Sequence, residues 1–262
     1  MSVAGLILAA GESRRMGSPK ALLRYGEETF LDTLTALFAT RCSPVIVVLG
    51  AHAAEIRAGA LRPATFVVNP DYARGMTTSM QCGLRSIPPD ADGVLFTLVD
   101  HPAASPATLD ALLAGIGGAG TLAGRVETPA SGGRPGYSTA MENDGSPSHA
   151  SGTPLPDGVP SGPGPVRSFL RDRDSEKCGL APADPDRAPL LRVPRYRGKR
   201  GHPIWFASQL IPEFLALPAD GAAREVVRRH VARTEFLDLD DPGIVADIDS
   251  PEDYRALTGA GK

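Results

Sequence analysis

Short apolar runs alternate with helix-like segments along the first hundred residues. Each run is followed by a loop rich in glycine or polar residues, and then by a segment with apolar residues at helical spacing. The runs lack polar alternation, which is typical of parallel strands covered on both faces. They lie at 3–10, 44–49, 64–68 and 93–99. This order predicts an α/β fold with three layers: a mostly parallel, twisted sheet with helices on both faces.

Three helices have clear boundaries in the sequence. The segment 29–39 places its apolar residues on one face, as a helix packed on a sheet does. The segment 105–116 begins with serine at the N-cap and proline at the first helical position. The final helix begins where Ser250 can cap it, Pro251 can start it and Asp253 stands at the third helical position, which is a capping-box arrangement.

The stretch 118–187 breaks this pattern. Gly, Pro, Ser and Ala dominate it, bulky apolar residues are sparse and no period survives. The chain holds 25 prolines among 262 residues, and much of this excess over the usual ~5% lies here. We predict one domain over 1–262 that is interrupted by a disordered insertion at 118–187; the alternative is a folded but irregular subdomain around 166–170.

The regular pattern resumes at Pro189. Two apolar runs, 190–193 and 203–206, predict strands that are joined by a basic turn at 195–201, as a β-hairpin or a split strand. Beyond them the pattern predicts helices at 208–215 and 222–230 and a strand at 234–237.

Composition narrows the class of protein. The net charge is −3, so the overall field favours neither nucleic acid nor an acidic membrane as a partner. No apolar run approaches the ~18 residues of a membrane-crossing helix, and no basic region precedes the first run, which predicts a buried strand and not a signal peptide. The 3 cysteines stand at unrelated spacings, which argues against a disulfide framework or a zinc site. We expect a cytoplasmic protein that binds anionic small ligands through local groups.

The strongest chemical signal is the loop that follows the first run, LAAGESRRMGSPK at 8–20. Ligands of open α/β sheets bind where such loops leave the carboxyl ends of strands. Small residues let backbone N–H groups approach an anion, Arg14 and Arg15 can fork onto phosphate oxygens, and Lys20 adds a compact charge. The spacing matches neither the GxGxxG turn nor the GxxxxGK(S/T) loop. The string predicts a triphosphate cradle; the alternative is ordinary turn glycines with solvated cations.

A carboxylate follows the last apolar run of the predicted sheet. Asp100 comes directly after 93–99, so we expect it at the carboxyl edge, near the 8–20 loop. Magnesium binds hard oxygen ligands and usually takes one or two protein carboxylates together with phosphates and waters. Asp100 is therefore a candidate metal ligand, with a second carboxylate from elsewhere. His101 can fix the orientation of this carboxylate.

Two further segments can face the same cleft. The segment 75–79 holds glycine and hydroxyl residues before a predicted helix, whose N-terminus would favour an anion, although these residues also suit ordinary N-cap chemistry. The turn at 198–203 brings Lys199, Arg200 and His202 together, and its basic residues suit a phosphorylated ligand. His202 could instead only hydrogen-bond the loop.

Together these segments resemble the molybdopterin nucleotidyltransferase-like family, within the wider glycosyltransferase-A-like nucleotidyltransferases. In order and spacing they are similar to its molybdenum cofactor cytidylyltransferase branch. The resemblance covers essentially the whole chain outside the 118–187 insertion. It is carried by 8–20, 74–84, 99–102, 198–203 and 247–254.

The resemblance implies roles for individual residues. Arg15, Lys20 and Asp100 take the catalytic positions. Asp100 would bind Mg²⁺ with a second carboxylate from Asp247 or Asp249, although these two could also be turn residues before a helix. The implied nucleotide-binding residues are Leu8, Ala9, Ala10, Gly11, Arg14, Arg15, Lys20, Gly75 and Ser79. The implied acceptor-binding residues are Lys199, Arg200, Gly201 and His202.

The resemblance also implies an activity, the transfer of CMP from CTP to the phosphate of molybdopterin with release of pyrophosphate. Ala10 resembles the cytidylyltransferase branch, because guanylyltransferase relatives more often carry glycine there. The alternatives are a nucleotidyltransferase that uses GTP or a sugar- or alcohol-phosphate acceptor, and a chaperone that inserts the cofactor into a molybdoenzyme without turnover. The insertion could also serve in docking a partner.

Overall fold

The computed structural model describes residues 2–116 and 188–259. The predicted insertion at 118–187 lies outside the described residues. The strands are β1 (Val3–Ala9), β2 (Arg24–Tyr25), β3 (Glu28–Thr29), β4 (Val45–Leu49), β5 (Thr65–Val68), β6 (Gly93–Leu98), β7 (Leu191–Tyr196), β8 (Lys199–Arg200), β9 (Ile204–Ala207) and β10 (Thr234–Asp238). The α-helices are α1 (Phe30–Ala39), α2 (Ala53–Gly59), α3 (Met76–Leu84), α4 (Pro106–Leu113), α5 (Ile211–Leu215), α6 (Arg224–Arg229) and α7 (Pro251–Thr258).

Eight strands form one sheet in the order β10-β7-β9-β6-β1-β4-β5, with β8 paired to β7. Strand β1 lies parallel to β4 and β6, and β4 lies parallel to β5. Strand β9 is antiparallel to both β6 and β7, whereas β10 is parallel to β7. The predicted mostly parallel sheet is confirmed, and the four apolar runs of the first hundred residues form its four neighbouring parallel strands, β6, β1, β4 and β5, with β5 at the edge.

Both faces of the sheet are covered, because side chains of a strand point alternately to opposite faces. In β1, Ile7 packs into one core with Phe30 of α1, whereas Leu6 packs into the other with Met80 of α3. The first core also takes residues of α2, α4 and α7, and the second takes residues of α5 and α6. The predicted three layers are therefore present. Within the described residues, no helix is long and apolar enough to cross a membrane.

The predicted caps are confirmed. The Ser105 side chain accepts a hydrogen bond from the Thr108 N–H at the start of α4. Ser250 and Asp253 form the capping box of α7, in which each side chain accepts a bond from the backbone of the other end. Such caps satisfy N–H groups that lack a partner within the helix.

Some boundaries differ from the prediction. The basic turn is not 195–201 but two residues long, because Tyr196 pairs with Lys199 across the β7–β8 hairpin. Arg197 and Gly198 both have positive φ, 48° and 78°, as a tight two-residue hairpin turn requires. The predicted helix at 208–215 is divided into a 3-10 turn, Ser208–Leu210, and the short helix α5.

Candidate active site

The 8–20 loop leaves the carboxyl end of β1 and is closed by Ser13. The Ser13 carbonyl accepts a hydrogen bond from the Met16 N–H at 2.9 Å, and its Oγ accepts one from the Lys20 N–H at 3.0 Å. Ser13 has a φ of 52°, a left-handed conformation that is uncommon outside glycine. A Cβ built on Gly11 would meet no atom within 4 Å, so this part of the loop faces open space.

Lys20 lies between two carboxylates at this sheet edge. Its Nζ donates to Asp249 Oδ1 at 2.7 Å and to Asp100 Oδ2 at 3.3 Å, and only 13% of its side chain is exposed. Arg15 Nη2 reaches Asp249 Oδ2 at 3.2 Å, with a side chain that is 57% exposed. Arg14 pairs with Glu12 of its own loop. The structure therefore brings Arg15, Lys20 and Asp100 together, as the sequence predicted, and adds Asp249 as their common partner.

Asp100 also lies close to Asp247. Asp100 follows β6, and its carbonyl accepts a hydrogen bond from the Ile248 N–H at 3.0 Å, which ties the 247–249 segment to the sheet edge. Single ligand atoms of Asp100, His101 and Asp247 all lie within 4.8 Å of one another. The two candidate carboxylates thus differ in position: Asp247 lies with Asp100, and Asp249 contacts the cations. A metal-binding role for Asp249 stays a prediction.

These residues fit a divalent cation. Asp100 Oδ1 and both ring nitrogens of His101 are buried and have no hydrogen-bond partner among the residues that the structure describes. Buried polar atoms are normally bonded, because an unpaired one loses its hydration without compensation. Carboxylate oxygen and imidazole nitrogen are both metal ligands, so a bound cation would satisfy the Asp100 oxygen and one of the two His101 nitrogens.

The Asp253 carboxylate holds the backbone of Asp249 in place. Its Oδ2 accepts hydrogen bonds from the Asp249 N–H at 3.1 Å, the Ser250 N–H at 2.9 Å and the Ser250 hydroxyl at 2.8 Å. The Ser250 hydroxyl, more than these backbone groups, lowers the pKa of the Asp253 carboxyl. The sequence indicated Asp253 only as a helix cap. Its second role, the hydrogen bond that it accepts from the Asp249 backbone, is visible only in the structure.

The acceptor residues predicted at 198–203 are separated by the fold. Lys199 and Arg200 form β8, where the Arg200 guanidinium lies 5.0 Å from the centre of the Phe236 ring. A Cβ on Gly201 would clash with the Ile244 backbone, so glycine is needed for the close approach of the chain after β8 to Ile244. His202 lies beside the metal-ligand candidate His101. Acceptor binding by all four residues stays a prediction.

His202 stacks on His101, with ring centres 4.7 Å apart and planes at 29°. The backbone N–H of His202 donates to the Ile244 carbonyl at 2.8 Å, and only 1% of the residue is exposed. Burial, and to a lesser degree His101, hold the pKa of His202 well below its ordinary value. Sequence reasoning gave His101 only an orienting role, because burial and stacking cannot be read from a single histidine after an aspartate.

The other predicted nucleotide-binding residues are buried or bonded within the protein. Leu8 and Ala9 belong to β1 and, with Ala10, have buried side chains, so they offer a nucleotide only their backbone. Gly75 caps α3 with a φ of 127°. Ser79 is 2% exposed and accepts a hydrogen bond from Asn69 Nδ2 at 2.9 Å. Contact of these residues with a nucleotide stays a prediction.

The fold defines the class of protein. The chain is similar to a nucleotidyl transferase from Methanothermobacter thermautotroptrophicus, with a TM-score of 0.62 and 17% identity over 99% of this chain and 97% of that one. It is also similar to Rv0371c from Mycobacterium tuberculosis H37Rv, with a TM-score of 0.63 and 24% identity over 98% of both chains. These likenesses show a nucleotidyltransferase-like fold.

Family membership follows from the sequence match. Residues 5–148 match the MobA-like NTP transferase domain, which is more than half of the chain. The chain therefore belongs to the MobA-like NTP transferase family.

Three relatives bear different names. Nicotine blue oxidoreductase of Paenarthrobacter nicotinovorans is 39% identical over 114 residues, which is 42% of this chain and 55% of that protein. The molybdenum cofactor cytidylyltransferase of Escherichia coli K12 is 36% identical over 84 residues, 31% of this chain and 44% of that one. A probable molybdenum cofactor guanylyltransferase of Mycobacterium avium is 33% identical over 119 residues, 43% and 57%. The chain spans about half the length of these relatives.

Proposed function

We propose that the protein is a metal-dependent nucleotidyltransferase that moves a nucleoside monophosphate from a nucleoside triphosphate to a phosphorylated acceptor. The observation that carries this proposal is the position of Lys20, 2.7 Å from Asp249 and 3.3 Å from Asp100, at the carboxyl edge of a MobA-like sheet. A cation and carboxylates that meet beside an open glycine loop can hold phosphates and a metal together.

Catalysis by these residues rests on positioning and charge neutralisation. The acceptor phosphate oxygen attacks the α-phosphorus, the bond to the β-phosphate oxygen breaks, and pyrophosphate leaves. Arg15 and Lys20 hold negative charge on the departing pyrophosphate. Asp100 and Asp247 would hold a divalent cation such as Mg²⁺, which would supply Lewis-acid neutralisation of the phosphates. No general base is needed, because the acceptor phosphate is already anionic.

We assign CTP as the nucleotide and the phosphate of molybdopterin as the acceptor, with a molybdoenzyme as the receiver of the product. Support comes from the likeness to the Escherichia coli cytidylyltransferase and from Ala10 in the 8–20 loop. The likeness to a probable guanylyltransferase supports GTP as the alternative nucleotide. Lys199 and Arg200 are basic residues of a kind that would suit a phosphorylated acceptor.

The test is a competition between nucleotides. Protein, divalent cation and molybdopterin are incubated with equal CTP and GTP, and the dinucleotide products are separated by mass. We expect the cytidine product in excess. An excess of the guanosine product would reverse the assignment of the base, and pyrophosphate release only with sugar phosphates or alcohol phosphates would replace the acceptor.

Two other functions predict different results. A cofactor-insertion chaperone would bind nucleotide or pterin without releasing pyrophosphate. An oxidoreductase, which the likeness to nicotine blue oxidoreductase raises, would change the absorbance of that substrate without consuming a nucleoside triphosphate. The cluster of Lys20 with Asp100 and Asp249 favours nucleotidyl transfer over the chaperone and the oxidoreductase. Neither of these two functions requires a cation paired with carboxylates beside the 8–20 loop.

A further inference from the structure

His101 is buried in a way that a structural histidine seldom is. Only 4% of the residue is exposed, yet neither ring nitrogen has a hydrogen-bond partner among the described residues. Asp100 Oδ1 lies 3.8 Å from His101 Nε2, beyond hydrogen-bond distance. Burial of a polar ring without a partner costs about 1–3 kcal/mol, so the arrangement calls for a ligand.

The spacing of the neighbouring groups matches one shared cation. Ligand atoms of Asp100, His101 and Asp247 lie within 4.8 Å of one another. Two ligands bonded to one ion at about 2.1 Å are about 3 Å apart when adjacent and about 4.2 Å apart when opposite. A pair 4.8 Å apart would need to close by about 0.6 Å to bind on opposite sides of one ion and by about 1.8 Å to bind side by side.

The surroundings hold the ring of His101 in this position. Its face stacks on His202, and the His202 backbone is bonded to the Ile244 carbonyl, three residues before Asp247. The same chain segment thus supports the histidine stack and delivers the second carboxylate. An imidazole presents its nitrogens along its edge, so the stacking on one face leaves them able to bind an ion.

We infer that His101 is a nitrogen ligand of the divalent cation that Asp100 and Asp247 bind. The inference rests on the proposed function for the use of a cation, but it concerns the identity of the donor atoms. Magnesium prefers oxygen ligands alone, whereas an imidazole nitrogen favours Mn²⁺ and, more strongly, Co²⁺ over Mg²⁺. The site should therefore select transition-metal dications over magnesium.

The direct test is pulsed electron paramagnetic resonance of Mn²⁺ bound to the wild-type protein without nucleotide. We expect modulation from a directly bonded ¹⁴N nucleus in the wild type and its loss in His101→Gln. A wild-type spectrum without nitrogen coupling overturns the inference, and it does so even when the variant fails to fold. Coupling that persists in a folded His101→Gln also overturns it, because another residue would then supply the nitrogen.

Calorimetric titration separates a ligand from a merely structural histidine. We expect Co²⁺ to bind the wild type at least about tenfold more tightly than Mg²⁺, and His101→Gln to lose about tenfold or more for Co²⁺ while Mg²⁺ affinity changes little. Equal losses for both ions, or none, contradict the inference. His52→Gln, at an exposed histidine beside α2, is the matched control and should change neither affinity. Nucleotidyl transfer is assayed separately, so failure here leaves the proposed function standing.

Discussion

Replacing Lys20 by methionine removes a cation that the structure places between Asp100 and Asp249, while keeping a side chain of similar length. The Lys20 Nζ lies 2.7 and 3.3 Å from the two carboxylates, and the three side chains are 13%, 19% and 19% exposed. Exposed ion pairs contribute at most about 1 kcal/mol, whereas removing one partner of a fully buried pair costs about 3–5 kcal/mol. With this partial exposure we expect a loss of about 2–3 kcal/mol.

Differential scanning calorimetry measures the effect. For a chain of this size a loss of about 2–3 kcal/mol lowers Tm by roughly 4–12 °C. Added Mg²⁺ or Mn²⁺ should raise the Tm of Lys20→Met more than that of the wild type, because a bound cation replaces the missing charge. Lys199→Met removes an exposed lysine of β8 and should change Tm little. An unchanged Tm in Lys20→Met, or an equal fall in Lys199→Met, would refute the reasoning.

Three further substitutions have defined outcomes. Asp253→Ala should cost about 1 kcal/mol of capping stability and raise KM for the nucleotide by releasing Asp249. The folded-state pKa of Asp253 lies below 3.8, so the loss of stability relative to wild type should be complete above that pH. In urea unfolding the difference should disappear as the pH falls through the folded-state pKa. Burial raises the pKa of the Asp241 carboxyl, but bonds from Thr108 and two backbone N–H groups outweigh it and lower the pKa, so Asp241→Asn should destabilise at pH 7 and lose its effect in acid, as a pH series of midpoints would show. Gly201→Ala should destabilise by about 1–3 kcal/mol in the same urea assay because its Cβ meets the Ile244 backbone, and an equal stability to wild type would contradict that clash.

The central fold could be predicted because each parallel strand is a continuous apolar run. The runs at 3–10 and 93–99 became β1 and β6, side by side, so Asp100 had to emerge beside the 8–20 loop. Helix α2 and the β2–β3 ribbon were missed, since the N-cap His52 makes no side-chain cap bond and the ribbon strands have two residues each.

The division of the site could be predicted only in part. Asp247 and Asp249 stand two residues apart in the sequence, and nothing in it tells which carboxylate meets Asp100 and which meets Lys20. That choice depends on the Ile248 N–H, which binds the Asp100 carbonyl, and on the capping box that holds Asp249. Likewise, the basic residues at 195–201 suggested a loose turn, but strand pairing between β7 and β8 makes it a tight hairpin. In this hairpin Arg200 lies over the Phe236 ring.

A labelled nucleoside triphosphate shows directly whether the protein transfers a nucleotide. CTP labelled at the α-phosphate or at the γ-phosphate is incubated with molybdopterin, divalent cation and either wild type or Asp100→Asn. We expect wild type to move the α-label to the acceptor and the γ-label to pyrophosphate, and Asp100→Asn, shown to be folded by calorimetry, to lose both. Transfer of the γ-label to the acceptor, or full activity in Asp100→Asn, would contradict the proposed function.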